Sequence, residues 1–231
     1  MRIALLSDIH GNIDALDVCL NSVRDSGCTD FLIAGDIVGY YYDVESVMSL
    51  LAKHSYAFVI GNHEIMLREL MENPSLSQSI RTKYGSALDI ALTKLSSSQL
   101  EFLCNAPAVT SLTLGDRLFN LSHGSPWLVD EYLYPDTKSE IWDKFLGYQD
   151  DVFIIGNTHH QMLKRIKGKL IINPGSVGQS RTDKSHAQWA EIETSTLEVT
   201  FKSIPYDSSR LLRECQKIDP GLNVLTGPLA P

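Results

Sequence analysis

The 231-residue sequence is poor in the features that would assign it to several large classes. Its four cysteines, Cys19, Cys28, Cys104 and Cys215, show no C-x-x-C spacing, which argues against a thiolate zinc site. No run of apolar residues approaches the roughly 18 needed to span a membrane. The apolar stretch ahead of Asp8 is too short for the core of a secretory signal. Positive charge is also scarce. Twenty Lys and Arg against 28 Asp and Glu give a net charge of −8 and a pI of about 5.3. That balance excludes a broad nucleic-acid or membrane surface, both of which need a basic face. The one basic cluster, Lys164, Arg165, Lys167 and Lys169 around Gly168, reads as a solvated hairpin tip. No internal repeat, low-complexity run or linker breaks the chain. The expectation is one cytoplasmic domain spanning 1–231, with reduced thiols and no membrane partner.

What the chain does have is enough apolar material, 43%, to build a sizeable core. Apolar runs at 2–6, 31–35 and 56–61 read as buried strands. Between them, Ile13, Leu16, Leu20 and Val23, then Val44, Val47, Met48 and Leu51, recur at helical spacing. This βαβαβ opening predicts a parallel sheet with helices packed on it. Residues 64–105 read as a mostly helical insert, broken at Asn73-Pro74 and restarted by serines suited to an N-cap. Strands then take over. Gly115-Asp116 marks one hairpin, the runs about 152, 162 and 170 give three more strands, and 186–193 with 196–204 give a second hairpin. Residues 137–147 and 207–217 read as helices, and the tail 219–231, rich in Pro and Gly, reads as loose. The fold class is α/β (α+β) with two β-sheets and helices outside.

The polar residues that follow the strands share one chemistry. "SDIHGN" places Asp8 and His10 after the first strand, and "AGDIVG" places Asp36 after the second. "IGNHE" places Asn62, His63 and Glu64 after the third. "LSHGS" places His123 after the hairpin, and "IGNTHH" places Asn157, His159 and His160 after a later strand. Ligand sites in α/β sheets lie beyond the carboxyl ends of the strands. Carboxylate and imidazole without thiolate suit Mn²⁺, Fe, Zn²⁺ or Co²⁺, and Ni or Mg remain alternatives. A carboxylate can bridge two metals roughly 3.5–4 Å apart, an arrangement that clamps a phosphoryl oxygen and activates water. In an extended segment side chains alternate, so residues 157 and 159 would face one pocket and His160 the other side.

These five motifs together resemble the calcineurin-like metallophosphoesterases, whose signature runs D-x-H, G-D, G-N-H-[DE], His-Gly and G-H-x-H. "IINPGSVGQSR" (171–181) and "GDIVGY" are similar to the small single-domain phosphodiesterases of bacteria and archaea. The resemblance spans residues 1 to about 205. It implies a four-layer α-β-β-α sandwich with a dinuclear centre, most simply of Mn²⁺, between the sheets. It assigns Asp8, His10 and His159 to the first metal and Asp36 to a bridge between both. It assigns Asn62, His123 and the first histidine of the fifth motif to the second metal. That last position is Asn157 here, a departure that weakens the second site. His63 becomes the catalytic imidazole. The protein Ser/Thr phosphatases carry an Asp-Arg pair where this chain has Gly39-Tyr40, so the acid that would orient His63 is missing.

The expected function is a metal-dependent phosphoesterase, above all a phosphodiesterase, acting on a phosphate ester such as a nucleotide. Its mechanism would be in-line attack of a metal-bound hydroxide on phosphorus. Two alternatives stay open: a phosphomonoesterase, and a protein-binding scaffold of the same fold with a decayed metal site, as in the retromer subunit of this superfamily. Arg181 and Asn12 are candidate substrate contacts, although Asn12 is equally explained as a helix N-cap. Tyr40, Tyr41 and Tyr42 read as a half-buried run able to stack on a ring. A homo-oligomer is compatible with the sequence and not demanded by it.

Overall fold

In the computed structural model, which describes residues 1–28 and 30–229, the first strand is apolar on both faces and decides the layering. In β1 (Arg2–Leu6), Ile3 and Leu5 point to one side and Ala4 and Leu6 to the other, and all four are buried. A strand buried on both faces needs a partner layer on each. Helix α1 (Ile13–Asp25) follows, then β2 (Asp30–Ile33), α2 (Val44–Leu51) and β3 (Tyr56–Phe58). β1 pairs with β2, and β2 with β3, in parallel, as the βαβαβ pattern predicts.

The insert comprises α3 (Asn62–Glu72), α4 (Ser77–Tyr84), α5 (Ala87–Lys94) and α6 (Ser97–Cys104). Pro74 opens a short 3₁₀ turn between α3 and α4. Ser96 caps α6 by accepting from Gln99 N, and the Gln99 side chain accepts from Ser96 N in return. Next come β4 (Val109–Leu114) and β5 (Arg117–Ser122), joined through Gly115-Asp116. After α7 (Ser139–Asp143) follow β6 (Val152–Ile154), β7 (Gln161–Ile166), β8 (Lys169–Pro174), β9 (His186–Glu193) and β10 (Glu198–Pro205). The chain closes with α8 (Ser209–Ile218) and α9 (Asn223–Thr226).

Two five-stranded mixed sheets result, ordered β10-β9-β1-β2-β3 and β4-β5-β6-β8-β7. Their inner faces meet in one cluster. Ile3, Leu5, Leu32 and Ile192 pack against Phe119, Leu121, Val152, Ile154 and Ile172. The outer face of the first sheet, with Ala4, Leu6, Phe31 and Ile33, is covered by α1, α2 and the insert. On the second sheet, Phe153 and Ile171 lie under Trp142 and Phe145. The four-layer α-β-β-α expectation holds.

The tail differs from its reading as loose. Residues 219–229 pack down, with Leu225 and Leu229 fully buried; 230–231 lie outside the described residues. Tyr41 Oη donates to Leu225 O at 3.1 Å and Tyr42 Oη to Asp219 at 2.9 Å. Asp219 also accepts from Ser86 N at 2.8 Å and Ser86 Oγ at 2.7 Å. One carboxylate thus ties the loop after β2, the insert and the C-terminal segment together. The tyrosine run is buried rather than half-buried for this reason. The basic hairpin tip is the β7–β8 turn, and there Lys169 donates to Tyr148 O and Asp150 O at 2.7 Å each. All four cysteines are free and buried. Among the described residues no helix is long and apolar enough to cross a membrane.

Candidate metal centre

β1, β2 and β3 run parallel to one another, as do β5 and β6, so the loops leaving their carboxyl ends gather on one side of each sheet. Those loops bend sharply. Of the nine non-glycine residues with positive φ among the described residues, five are Asp8, His10, Asp36, Asn157 and His159. Left-handed backbone at a non-glycine residue costs about 1–3 kcal/mol and tends to collect at functional sites. Here it turns the side chains inward. The loops also interlock through backbone bonds: Asp8 N donates to Gly35 O at 3.1 Å and His10 N to Asp36 O at 3.0 Å.

The side chains converge in three overlapping groups: Asp8, His10 and His159; His10, Asp36 and His63; and Asp8, Asp36 and His123. Within each, the ligand atoms all lie within 4.8 Å of one another and the residues are buried. Hydrogen bonds fix which atoms face the centre. His10 Nδ1 donates to Val38 O at 3.0 Å, His159 Nδ1 to Gln179 O at 2.7 Å, and His123 Nδ1 to Ala34 O at 2.6 Å. A carbonyl only accepts, so the proton sits on Nδ1 and Nε2 is left to point at the centre. His10 Nε2 and His159 Nε2 stand 3.2 Å apart, and Asp8 Oδ1 is 3.3 Å from His159 Nε2. Both oxygens of Asp8 are buried without a hydrogen-bond partner. Burial alone would raise its pKa, but His159 and His123 outweigh that and hold it low.

Asp36 is divided between two tasks. Oδ1 accepts from His63 N at 2.9 Å, at the first turn of α3, where a helix favours negative charge. Oδ2 lies 3.7 Å from His10 Nε2 and 3.3 Å from His123 Nε2. Burial pushes the Asp36 pKa up, but His123 and His63 reverse this and keep it well below the carboxylate range. Asn62 Oδ1 is 3.0 Å from His123 Nε2. Burial lowers the His123 pKa and Asp36 raises it further, to about 10. In the metal-free protein a proton therefore sits on His123 Nε2, between Asp36 Oδ2 and Asn62 Oδ1. Orphaned carboxylate oxygens and opposed imidazole nitrogens are what a cation site requires, and this oxygen and nitrogen donor set fits divalent metal ions.

His63 is buried with no partner for Nδ1. Its pKa is lowered to about 4 by burial, against the pull of Asp36. Its ring is held by packing. Tyr40 lies 4.8 Å away, Tyr84 5.1 Å and His10 4.8 Å, centroid to centroid. Gly39, at φ +94°, leaves room for the ring, since a Cβ there would overlap Nδ1. The missing acid is thus replaced by a gap and two tyrosine walls.

The motif's Glu64 is assigned no role by the resemblance. It is fully buried and accepts four backbone N–H groups: Asp36 N at 2.9 Å, Gly61 N at 2.9 Å, Ile37 N at 2.7 Å and Val38 N at 3.0 Å. It clamps the Asp36 loop to the start of α3. The sequence signal was its place as third residue of a helix, which invites a capping role.

The remaining candidates separate clearly. Asn157 is buried, and its Nδ2 donates to Glu131 O at 3.1 Å, leaving Oδ1 as the atom able to ligate. The segment around it is not extended, as the alternation argument assumed; φ is +65° at Asn157 and +59° at His159. His160 packs against Tyr134, ring centroids 5.5 Å apart, away from the convergent groups. Asn12 is fully buried and internally committed: it caps Ala15 N at 3.1 Å and donates to Gly178 O at 2.8 Å and Tyr206 Oη at 2.9 Å. These bonds fit its reading as a helix N-cap. Arg181 is exposed, and its charge bears on Tyr40 and Tyr132 near the centre.

A buried oxygen and nitrogen ligand set at the strand ends of a two-sheet sandwich defines a metallophosphoesterase. The profile of the calcineurin-like phosphoesterase superfamily domain matches residues 1–196, and the chain belongs to that family. It is a hydrolase acting on phosphoric esters. An uncharacterized protein of Methanocaldococcus jannaschii is 27% identical over 93% of this chain and 92% of its own length. The crystal structure of a metallophosphoesterase from Sphaerobacter thermophilus is 26% identical with a TM-score of 0.79, covering 99% of this chain and 98% of that one. A hypothetical protein from Pyrococcus horikoshii has the same fold, with a TM-score of 0.85 at 19% identity over 99% of this chain and 97% of its own.

Proposed function

We infer that the protein is a phosphodiesterase working through a two-metal centre that shares Asp36. The observation that carries this reading is the position of Asp36 Oδ2, 3.7 Å from His10 Nε2 on one side and 3.3 Å from His123 Nε2 on the other. Asp8, His10 and His159 would hold the first ion. Asn62 and His123, with Asn157 at the last corner, would hold the second. Mn²⁺ suits this donor set. Divalent ions bound there supply Lewis acidity, which neutralises phosphoryl charge and eases the deprotonation of water.

The protein's own groups do the rest. The interlocked loops hold the ligands in a fixed frame, so little reorganisation accompanies the reaction. His63, wedged between Tyr40 and Tyr84 beside the centre, offers an N–H to the oxygen that leaves phosphorus. Water attacks opposite that oxygen, the bond from phosphorus to it breaks, and the proton lost by water balances the one the alcohol gains. A cavity of about 660 Å³ adjoins Asn62 and leaves room for an organic arm of the ester. Asn157 remains the one feature favouring a scaffold, against six buried, convergent acids and imidazoles.

The test is turnover of an aryl phosphodiester and of the matching monoester by protein loaded with Mn²⁺. Faster diester hydrolysis is expected. Hydrolysis of the monoester alone would replace the diesterase reading, and no turnover with Mn²⁺, Co²⁺ or Zn²⁺ would move the function to a scaffold.

A further inference from the structure

The cavity beside Asn62 has walls that the phosphate chemistry does not explain. Tyr84 comes from the end of α4, and Trp127 and Tyr132 come from the loop after β5. Two unlinked segments therefore bring three aromatic side chains to one space. Its volume of about 660 Å³ lies within the roughly 300–1,000 Å³ of small-molecule pockets and far exceeds what a phosphate group fills. Leu128 and Tyr132 are left 51% and 49% exposed there. Exposed apolar surface next to a polar catalytic centre calls for an occupant.

The walls also differ in what they can do. Tyr84 is committed on two sides: its ring meets His63 at 5.1 Å and Tyr40 at 5.9 Å, and the Lys83 ammonium sits 4.8 Å above it. Tyr132 is backed by Tyr134 in a stacked arrangement, 19° between planes and 6.4 Å between centroids, and half of its surface stays open. It is a platform with a support behind it. The exposed charges of Lys83, Glu69 and Asp130 also line the cavity and supply both donors and acceptors at its polar rim. Aromatic walls with a mixed polar rim suit a flat heteroaromatic ring that carries its own hydrogen-bonding edge. Asn62 belongs both to this wall and to the metal centre, and Tyr84 belongs both to this wall and to the His63 clamp, so a ring bound here stands one ester arm from the phosphorus.

We propose that the cavity bounded by Tyr84, Trp127 and Tyr132 is the leaving-group subsite, and that it selects phosphodiesters whose departing arm carries a flat aromatic ring, with a nucleoside preferred to a simple aryl alcohol. This rests on the phosphodiesterase reading above for its catalytic consequence, but the ring site itself can be tested separately.

The experiment compares Mn²⁺-loaded wild type, Tyr132→Ala and Tyr132→Phe on three diesters: a dinucleoside monophosphate, a diaryl phosphate and a ring-free glycerol phosphodiester. Calorimetric titration with a nucleoside monophosphate, with phenyl phosphate and with inorganic phosphate runs alongside. Tyr132→Ala is expected to lower kcat/KM on ring-bearing diesters on the order of tenfold or more, as loss of one stacking platform does, with the ring-free diester nearly unchanged. Tyr132→Phe should restore the wild-type pattern. Nucleoside monophosphate binding should weaken in parallel, and phosphate binding should not. Equal effects on all three diesters, or none, would overturn the subsite. Phenyl phosphate binding as tightly as the nucleoside monophosphate in the same titration would overturn the nucleoside preference. If no diester turns over at all, the phosphodiesterase reading fails. The binding titration then decides the ring site alone: weaker nucleoside monophosphate binding by Tyr132→Ala upholds it, and unchanged binding removes it.

Discussion

His10 Nε2 lies 3.2 Å from His159 Nε2, and neither ring can turn away, because each is held from behind by a carbonyl oxygen at Nδ1. Two nitrogen lone pairs cannot face each other at that distance in a buried site without a cation between them. In the metal-free protein a proton sits nearby at His123, whose pKa Asp36 raises to about 10.

Metal binding must therefore expel a proton. Titration of Mn²⁺ into metal-free protein near pH 7, repeated in buffers of different ionisation enthalpy, should show net proton release and an affinity that rises with pH. At metal concentrations about a thousandfold above Kd, the linked stabilisation of about 4 kcal/mol should raise Tm by about 8–16 °C. Binding without proton release would mean that His123 Nε2 is not a ligand. Asp36→Asn keeps an oxygen for His63 N but removes the shared charge. Bound metal should fall, and turnover should drop on the order of a hundredfold or more, reflecting the several kcal/mol that metal charge supplies. Retained activity at saturating metal would remove Asp36 from its bridging position.

His63 is oriented by space rather than by an acid. Replacing it should leave metal content intact and lower kcat by about 10²–10⁴-fold in His63→Ala, as for other general acid–base groups. Gly39→Ala tests the same point from the other side. The new Cβ would occupy the volume of His63 Nδ1 and meet a left-handed backbone as well. Activity should fall toward the His63→Ala level with metal content unchanged. Normal kcat in Gly39→Ala would mean that the ring has room to move and is not held by packing.

Much of this arrangement was legible in the sequence. The 3.6-residue spacing in Leu16, Leu20 and Val23 and the apolar run of β1 give the layers, and the five polar motifs give the strand ends at which the site forms. Three things were not legible, each for a physical reason. The left-handed backbone at Asn157 and His159 breaks the two-residue alternation used to orient them, because a tight turn replaces the strand there. The contact of Asp219 with Ser86 joins residues 133 apart, and nothing local in a tail of Pro and Gly announces it. Tyr84 reaches His63 only once four insert helices have packed, so its part in the wall is a property of tertiary packing and not of any motif.

Glu64 offers a test of how far rigidity matters. Its two oxygens serve four backbone donors, and an amide keeps only one oxygen. Glu64→Gln should strand Ile37 N and Val38 N, or Asp36 N and Gly61 N, in a buried place. At about 1–3 kcal/mol for each unsatisfied group, a loss of about 2–6 kcal/mol is expected. Thermal denaturation should show it, and metal affinity should weaken with it because Asp36 is on the clamped loop. A stable variant that still binds metal normally would show that the loop holds its shape without the clamp.

Asn157 stands where the family signature has a histidine, and its amide nitrogen is engaged by Glu131 O. A neutral carbonyl oxygen is a poorer ligand than imidazole for Mn²⁺, Co²⁺ or Zn²⁺. Asn157→His should tighten the second ion without altering the first, whose proposed ligands Asp8, His10 and His159 are unchanged. Elemental analysis after saturation and removal of excess metal would then rise from about one ion per chain toward two, and the free metal needed for half-maximal activity would fall. Two retained ions in the wild type would instead mean that the carboxamide already completes the site. An unchanged metal requirement in the variant would mean that residue 157 serves the Glu131 loop rather than the metal.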